Sequence, residues 1–337
     1  MKFNIIVLFL VGTIVYGQRS DFTTSSFDKA DSIALQNKGA SLQNLPVLVH
    51  DLTSDLSTEA EKFRSIYTWV CTNIANDYGS YQKTVKKRKK LSENLDALTE
   101  WNDDYTPKVF EKLIKQRKTA CTGYAFLVRE MAKMADIKCS IVNGYGRTPT
   151  LVLNNNSIPN HSWNLVELDG KWYLCDPTWS AGHIVFKDDG PQFEPDYFDS
   201  YFLADPNLFI RNHYPLEIKS SLLEKPPTLE EFIEGPVVYK EAFFVGVFPT
   251  LPSKMHLEIL KNEPVSFTFT STESLTNTNF SLLQTNGTRS TVIAPEIIRN
   301  QNEYLLRHTF EKSGKYDVHI KMNEVIIATY VIKVSRN

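Results

Sequence analysis

Cysteine is scarce in this chain, with four in 337 residues. That excludes a fold stapled by disulfides. Neither sign of charge dominates: Lys plus Arg is 37, Asp plus Glu is 39, and the formal net charge is −2. A protein that gripped the nucleic-acid backbone would carry a basic excess, so no nucleic-acid partner is expected. Internal repeats are absent, and beyond the N-terminus no run is apolar enough to cross a membrane. What is present is ordinary for a folded chain. Hydrophobic residues make up 42%, aromatics 12% and charged residues 23%, which excludes disordered, collagen-like and low-complexity chains. At about 100–200 residues per domain, the length corresponds to two domains.

The first residues read as a targeting segment. Lys2 precedes the apolar run from Ile5 to Val15, and the small residue Gly17 follows. A positive start, a short apolar centre and a small-residue cut site make a secretory signal. Cleavage is expected after Gly17, leaving a secreted or periplasmic protein. The rival reading is an uncleaved anchor, but the run is shorter than the ~20 residues a span needs. Asn155, Asn279 and Asn286 open glycosylation sequons, meaningful only in a host that glycosylates exported chains.

The pattern divides the remainder. Residues 18–56 are weakly patterned and are expected to wrap the next domain. Over 57–75, Phe63, Ile66, Tyr67, Val70 and Ile74 recur at helical spacing behind Ser57 or Thr58 as N-caps. Residues 83–90 hold six basic residues in eight, read as a solvated loop in preference to a dock for an acidic surface. A second helix is predicted over 121–135, then strands over 139–144, 161–168 and 171–176. Residues 186–225 look irregular, and Pro226-Pro227 marks a boundary. From about 240, short strands separated by turns include Val265–Thr270, Glu303–Phe310, Tyr316–Met322 and Val325–Val334, so a small β-sandwich is expected.

The chemistry concentrates in residues 161–177. Asp169-Gly170 between two apolar-rich runs signals a two-residue hairpin turn. Leu168 then faces Lys171, and Trp163 faces Asp176. Alternation puts His161, Trp163, Leu165, Trp172, Leu174 and Asp176 on one side. His161 and Asp176 become diagonal neighbours, about 7–8 Å apart along the backbone and within side-chain reach. The carboxylate is expected to accept the Nδ1 proton and leave Nε2 to act as a base. A His and an Asp on one strand pair are more often a surface contact. Here the shared face also carries Trp163, Trp172 and Leu174, and a nucleophile lies upstream.

That nucleophile is Cys121, at the expected first turn of its helix. Free N–H groups and the helix dipole favour an anion there and lower a thiol pKa. The same N–H groups can stabilise an oxyanion. A lone cysteine is more often a small buried hydrophobe, and Cys71, Cys139 and Cys175 fit that reading, with a disulfide between two of them left open. His183 and His213 have no cysteine or carboxylate at useful spacing and are read as structural.

These blocks resemble the transglutaminase-like superfamily, and more closely its kyphoscoliosis peptidase-type branch with exported bacterial relatives. The helix Phe63 to Tyr78, the segment Thr119 to Ala125, His161-Ser162-Trp163-Asn164 and Asp176-Pro177-Thr178-Trp179 carry the likeness. Tyr201 to Pro206 and His213-Tyr214-Pro215 extend it. The resemblance implies an α+β, papain-like core over 57–230; the strand pattern puts the all-β sandwich over 231–337. It implies Cys121 as nucleophile, His161 as base and Asp176 as the orienting residue. Neither a metal nor another cofactor is expected. The side chain that completes the oxyanion hole is unassigned, with Gln116 as a candidate. The expected activity is thiol acyl transfer on a protein or peptide substrate, hydrolysis being favoured over cross-linking. The alternative is a non-catalytic binding or scaffold module.

Overall fold

The structure, a computed structural model, describes residues 18–336 except 23–25, 150, 152, 155, 273–274 and 276–277. The expected targeting segment and Asn155 of the first sequon lie outside the described residues.

Helices α1 (Asp28–Gln36) and α2 (Leu45–Thr53) pack on α3 (Glu59–Asn73). Thr58 caps α3: its side chain accepts from the Glu61 N–H while the Glu61 carboxylate accepts from the Thr58 N–H. Helix α3 is buried almost all round, because α1 and α2 cover one side and the chain's sheet-packing helix and the 176–180 segment cover the other. Even Arg64 lies inside, paired with Asp31 at 2.7 Å and Asp199 at 3.3 Å.

The two-residue strand β1 (Ala75–Asn76) leads into α4 (Tyr78–Lys90), which contains the basic run. The run is helical, not a loop. Lys and Arg are good helix formers, and Lys87, Arg88, Lys89 and Lys90 meet the negative end of the helix dipole. Asp77 caps the other end, its carboxylate accepting from the Ser80 N–H. Helix α5 (Leu95–Gln116) follows, with Pro107 inside it. Then come β2 (Lys118–Thr119), which pairs parallel with β1, and α6 (Cys121–Met134).

A four-stranded antiparallel sheet forms the centre, in the order β5-β4-β3-β8. Its strands are β3 (Cys139–Gly146), β4 (His161–Leu168), β5 (Lys171–Cys175) and β8 (His213–Pro215). The β4–β5 register has Leu168 opposite Lys171 and Leu165 opposite Leu174, as the two-residue turn requires. Asp169 and Gly170 both take positive φ, at 51° and 77°. Between β5 and β8 lie the short helix α7 (Pro177–Ala181) and a hairpin of β6 (Gly182–Lys187) and β7 (Gly190–Pro195). Part of the stretch expected to be irregular is therefore paired strand.

Past residue 245 no helix occurs among the described residues. One sheet holds strands Val247–Leu251, Pro264–Ser271, Glu303–Thr309 and Glu296–Asn300. A second holds His256–Leu260, Val325–Ser335, Gly314–Met322, Phe280–Asn286 and Arg289–Ile293. All pairings are antiparallel except that of His256–Leu260 with Val325–Ser335. Alternate residues such as Phe267, Phe269, Val318, Ile320 and Ile332 fill the space between the sheets.

The alternation of β4 and β5 feeds two cores. Val166, Leu168, Tyr173 and Cys175 join α3 and α6 in one cluster. Trp163, Leu165 and Leu174 join the other, which continues into the C-terminal sheets through Phe243 and Phe248. All four cysteines are free thiols, so the disulfide left open by the sequence is not formed.

Candidate functional site

The site begins where α6 begins. The β1–β2 pair and the Asp77 N–H to Thr119 carbonyl bond, at 2.8 Å, fix the chain two residues before Cys121. Helix α6 then packs on β4 and β3. Gly123 is needed for this entry, because a Cβ there would lie 1.8 Å from the Thr119 hydroxyl. The first N–H groups of α6 lack intrahelical partners, and they lie beside the buried Cys121 thiol.

From β4, the His161 imidazole reaches both the Cys121 thiol and the Asp176 carboxylate. Nε2 lies 2.7 Å from Asp176 Oδ2. The expected ring orientation is thus reversed: Nε2 faces the carboxylate, which leaves Nδ1 for the thiol. The reason is reach. The two backbones are diagonal neighbours, and the ring nitrogen farther from its own backbone is the one that spans the gap. Trp179 stacks on the imidazole with ring centroids 5.0 Å apart.

Asp176 is held from several sides. Its Oδ1 accepts the N–H of Thr178 at 2.8 Å and of Trp179 at 3.2 Å, capping α7. Its backbone carbonyl accepts from the Tyr67 hydroxyl of α3 at 2.8 Å. On Oδ2 sits a second imidazole: His213 Nε2, from β8, lies 3.0 Å away. The reading of His213 as a residue without a carboxylate partner is therefore wrong. Thirty-seven residues separate the pair, and the β3–β8 pairing, with Gly146 opposite His213, helps bring the imidazole to the site.

Charge follows this geometry. Burial pushes the Cys121 thiol up, but the His161 imidazole and the Ser162 N–H outweigh it, and the thiol titrates below its ordinary value. Burial also disfavours the His161 imidazolium, but the Asp176 charge and the thiol hold it well above the usual imidazole range. Asp176, buried yet facing two imidazoles, is held well below the carboxylate range. Burial pushes His213 down to about 4 against the pull of Asp176. The arrangement favours a thiolate–imidazolium pair oriented by an ionised carboxylate.

The remaining candidates lie elsewhere or differ in kind. Burial raises the Cys71 and Cys175 thiols far above the ordinary value, and raises Cys139 to about 12. All three are poor nucleophiles. His183 is half exposed beside Glu194 and Asp196. Gln116 is exposed at the end of α5. Tyr81, unmarked by any sequence pattern, lies where the Cys121 charge raises its phenol, after burial, to about 12, so the start of α4 borders the thiol. His161, Asp176 and His213 form the one group of potential metal ligands among the described residues, with donor atoms within 4.8 Å of one another. Their hydrogen bonds to each other already use those atoms, and a metal would have to replace the protons they share.

Residues 47–177, which span α3, α6 and β3–β5, match the family model described as transglutaminase-like superfamily. The chain carries a transglutaminase-like domain. It is similar to kyphoscoliosis peptidase of Homo sapiens, with 30% identity over 220 residues, covering 65% of this chain and 30% of that protein. Kyphoscoliosis peptidase of Mus musculus is 28% identical over 255 residues, 72% of this chain and 35% of that protein. Hillarin of Drosophila melanogaster is 28% identical over 233 residues, 66% of this chain and 26% of that protein. The chain thus spans about a third of the length of these relatives.

Proposed function

We propose that this protein is an exported thiol-dependent acyl-transfer enzyme acting on peptide or glutamine-side-chain amides. One observation carries the reading: a single imidazole lies between a thiol of lowered pKa at a helix start and a buried carboxylate. The Cys121 thiolate attacks the amide carbonyl carbon and forms a C–S bond. The N–H groups at the start of α6 hold the oxyanion. The tetrahedral adduct collapses, the C–N bond breaks, and the leaving nitrogen takes the proton carried by His161. Water or an amine then attacks the thioester and gives its proton to His161. The C–S bond breaks, and the thiolate–imidazolium pair returns. Asp176 stays ionised throughout and orients the ring.

Hydrolysis is the favoured outcome, since an exported enzyme faces bulk water as acceptor. Export rests on the N-terminal pattern of a basic residue, an apolar run and Gly17. A second reading, a non-catalytic binding module, draws on the fact that Cys121 and His161 are each only 7% exposed. A peptide library incubated with and without a small primary amine, and read by mass spectrometry, decides between them. The enzyme reading expects cleaved or deamidated peptides, or amine adducts, from the native protein and none from Cys121→Ala. Products unchanged in Cys121→Ala, or absent from both, would refute it.

A further inference from the structure

We infer that His213 is a positioning residue, which clamps the Asp176 carboxylate and divides its charge with His161. The inference rests on the acyl-transfer reading and adds to it a residue outside the Cys121–His161–Asp176 set.

The four donors around Asp176 leave it no freedom. Oδ1 is fixed by the Thr178 and Trp179 N–H groups, and Oδ2 lies between His161 Nε2 at 2.7 Å and His213 Nε2 at 3.0 Å. An ionised carboxylate only accepts, so the His213 ring donates from Nε2. Its Nδ1 lies 2.6 Å from Asn212 Oδ1; a ring that donates from Nε2 is neutral when that amide is turned so that its nitrogen faces Nδ1. Aromatic rings enclose the rest: Phe209 stacks at 4.0 Å, Trp179 lies at 4.3 Å and Trp163 at 5.1 Å. An apolar side chain would fill such a cage at no polar cost. What the imidazole adds is its bond to Oδ2.

That bond acts on His161 in two ways. It stops the carboxylate from turning, so the His161 ring keeps Nδ1 on the thiol. It also occupies part of Oδ2, so Asp176 stabilises the His161 imidazolium less than a carboxylate held by His161 alone would. The other titratable groups nearby are Cys121 with Tyr81 on the thiol side, Cys71, Cys175 and Tyr124 near Asp176, and Tyr201 beside His213. None of them bonds to Oδ2.

The test is a pH titration of the Cys121 thiolate in the full chain, followed by ultraviolet absorbance and by iodoacetamide labelling. His213→Leu should slow labelling several-fold and move the upper limit of the ion pair, where His161 loses its proton, up by on the order of one pH unit. His213→Gln keeps an N–H near the Nε2 position and should stay close to the native profile. In an Asp176→Asn background, His213→Leu should add no shift, because the route through the carboxylate is gone. Equal shifts with and without Asp176, equal effects of Leu and Gln, or no effect of Leu would overturn the inference while leaving the thiol chemistry intact. An ordinary thiol titration in the native protein would instead sink the acyl-transfer reading and this inference with it. Should the variants fail to fold, proton NMR of the native protein serves. A downfield, slowly exchanging His213 Nε2 proton supports the clamp, and its absence overturns it.

Discussion

Cys121 is distinguished from the other three cysteines by its neighbours, not by its burial. Cys71, Cys121 and Cys175 are buried and Cys139 is partly so, and of the four only Cys121 faces an imidazole, which with the Ser162 N–H offsets the cost of a buried anion. Asp176 makes that possible, and its stability contribution has a definite sign. Its pKa is lower in the folded state, so it stabilises the fold above the ordinary carboxylate range and loses that contribution as pH falls through it. His161 has the opposite sign, with a raised pKa whose contribution is present below the imidazole range and lost on alkaline titration. We expect Asp176→Asn to lower the melting temperature at neutral pH, and the gap to the native protein to close as pH falls below about 4. Melting curves across pH check this; a gap that stays constant under acid would contradict it. The Cys121, His161 and Asp176 positions were legible in the sequence because a helix start and a two-residue hairpin fix them locally. The ring orientation was not, since it depends on which nitrogen reaches farther. His213 was not legible from spacing either, because a non-local strand pairing brings it in.

Among the elements, the hairpin Leu165–Leu174 was the most readable, because Asp169-Gly170 allows the positive φ its turn needs. Helix α3 was readable from its spacing and its Thr58 cap. Helix α4 was misjudged, because a run of like charge suggests solvent, while the same residues are intrinsically helix-forming. Helix α5 left little signal, with Pro107 in its middle. Strand β8 is three residues long and owes its place to β3. Gly144 makes that pairing possible, since a Cβ there would lie 2.1 Å from the Tyr214 carbonyl and 2.6 Å from the Trp163 ring. Gly144→Ala should therefore push β8 away, lower stability by about 1–3 kcal/mol and weaken the His213–Asp176 bond. Thermal melting together with the His213 proton resonance measures both. A variant with native stability and an unchanged resonance would show that β8 is held by something else.

For the molecule as a whole, the sheet that carries His161 also forms part of the core shared with the C-terminal strands. Trp163, Leu165 and Leu174 belong to the same cluster as Phe248, Phe267 and Tyr330. Arg147, at the end of β3, is buried and donates to the Phe232 carbonyl at 3.0 Å, tying the sheet to the segment that leads into those strands. Splitting these parts would expose large apolar surface and leave a buried guanidinium unpaired. Thermal unfolding should accordingly follow one cooperative transition, with calorimetric and van't Hoff enthalpies in agreement. Two resolved transitions would show that the parts are energetically separate. The helices and strands of the core and the β-rich C-terminal region were legible from periodicity, while the α+β arrangement of the core followed from the likeness of the quoted blocks to a known superfamily. The core that joins them was not, because an alternating strand says which residues share a face but not what covers it.

The central claim is that the Cys121 thiol is acidified because His161, held by Asp176, stabilises its anion. The rate of iodoacetamide alkylation of Cys121 as a function of pH, located by peptide mapping, tests it most directly. The account predicts a labelling midpoint well below the ~8.5 of a free thiol, moving up towards that value in His161→Ala. A midpoint at or above ~8.5 in the native protein, unmoved by loss of His161, would contradict it.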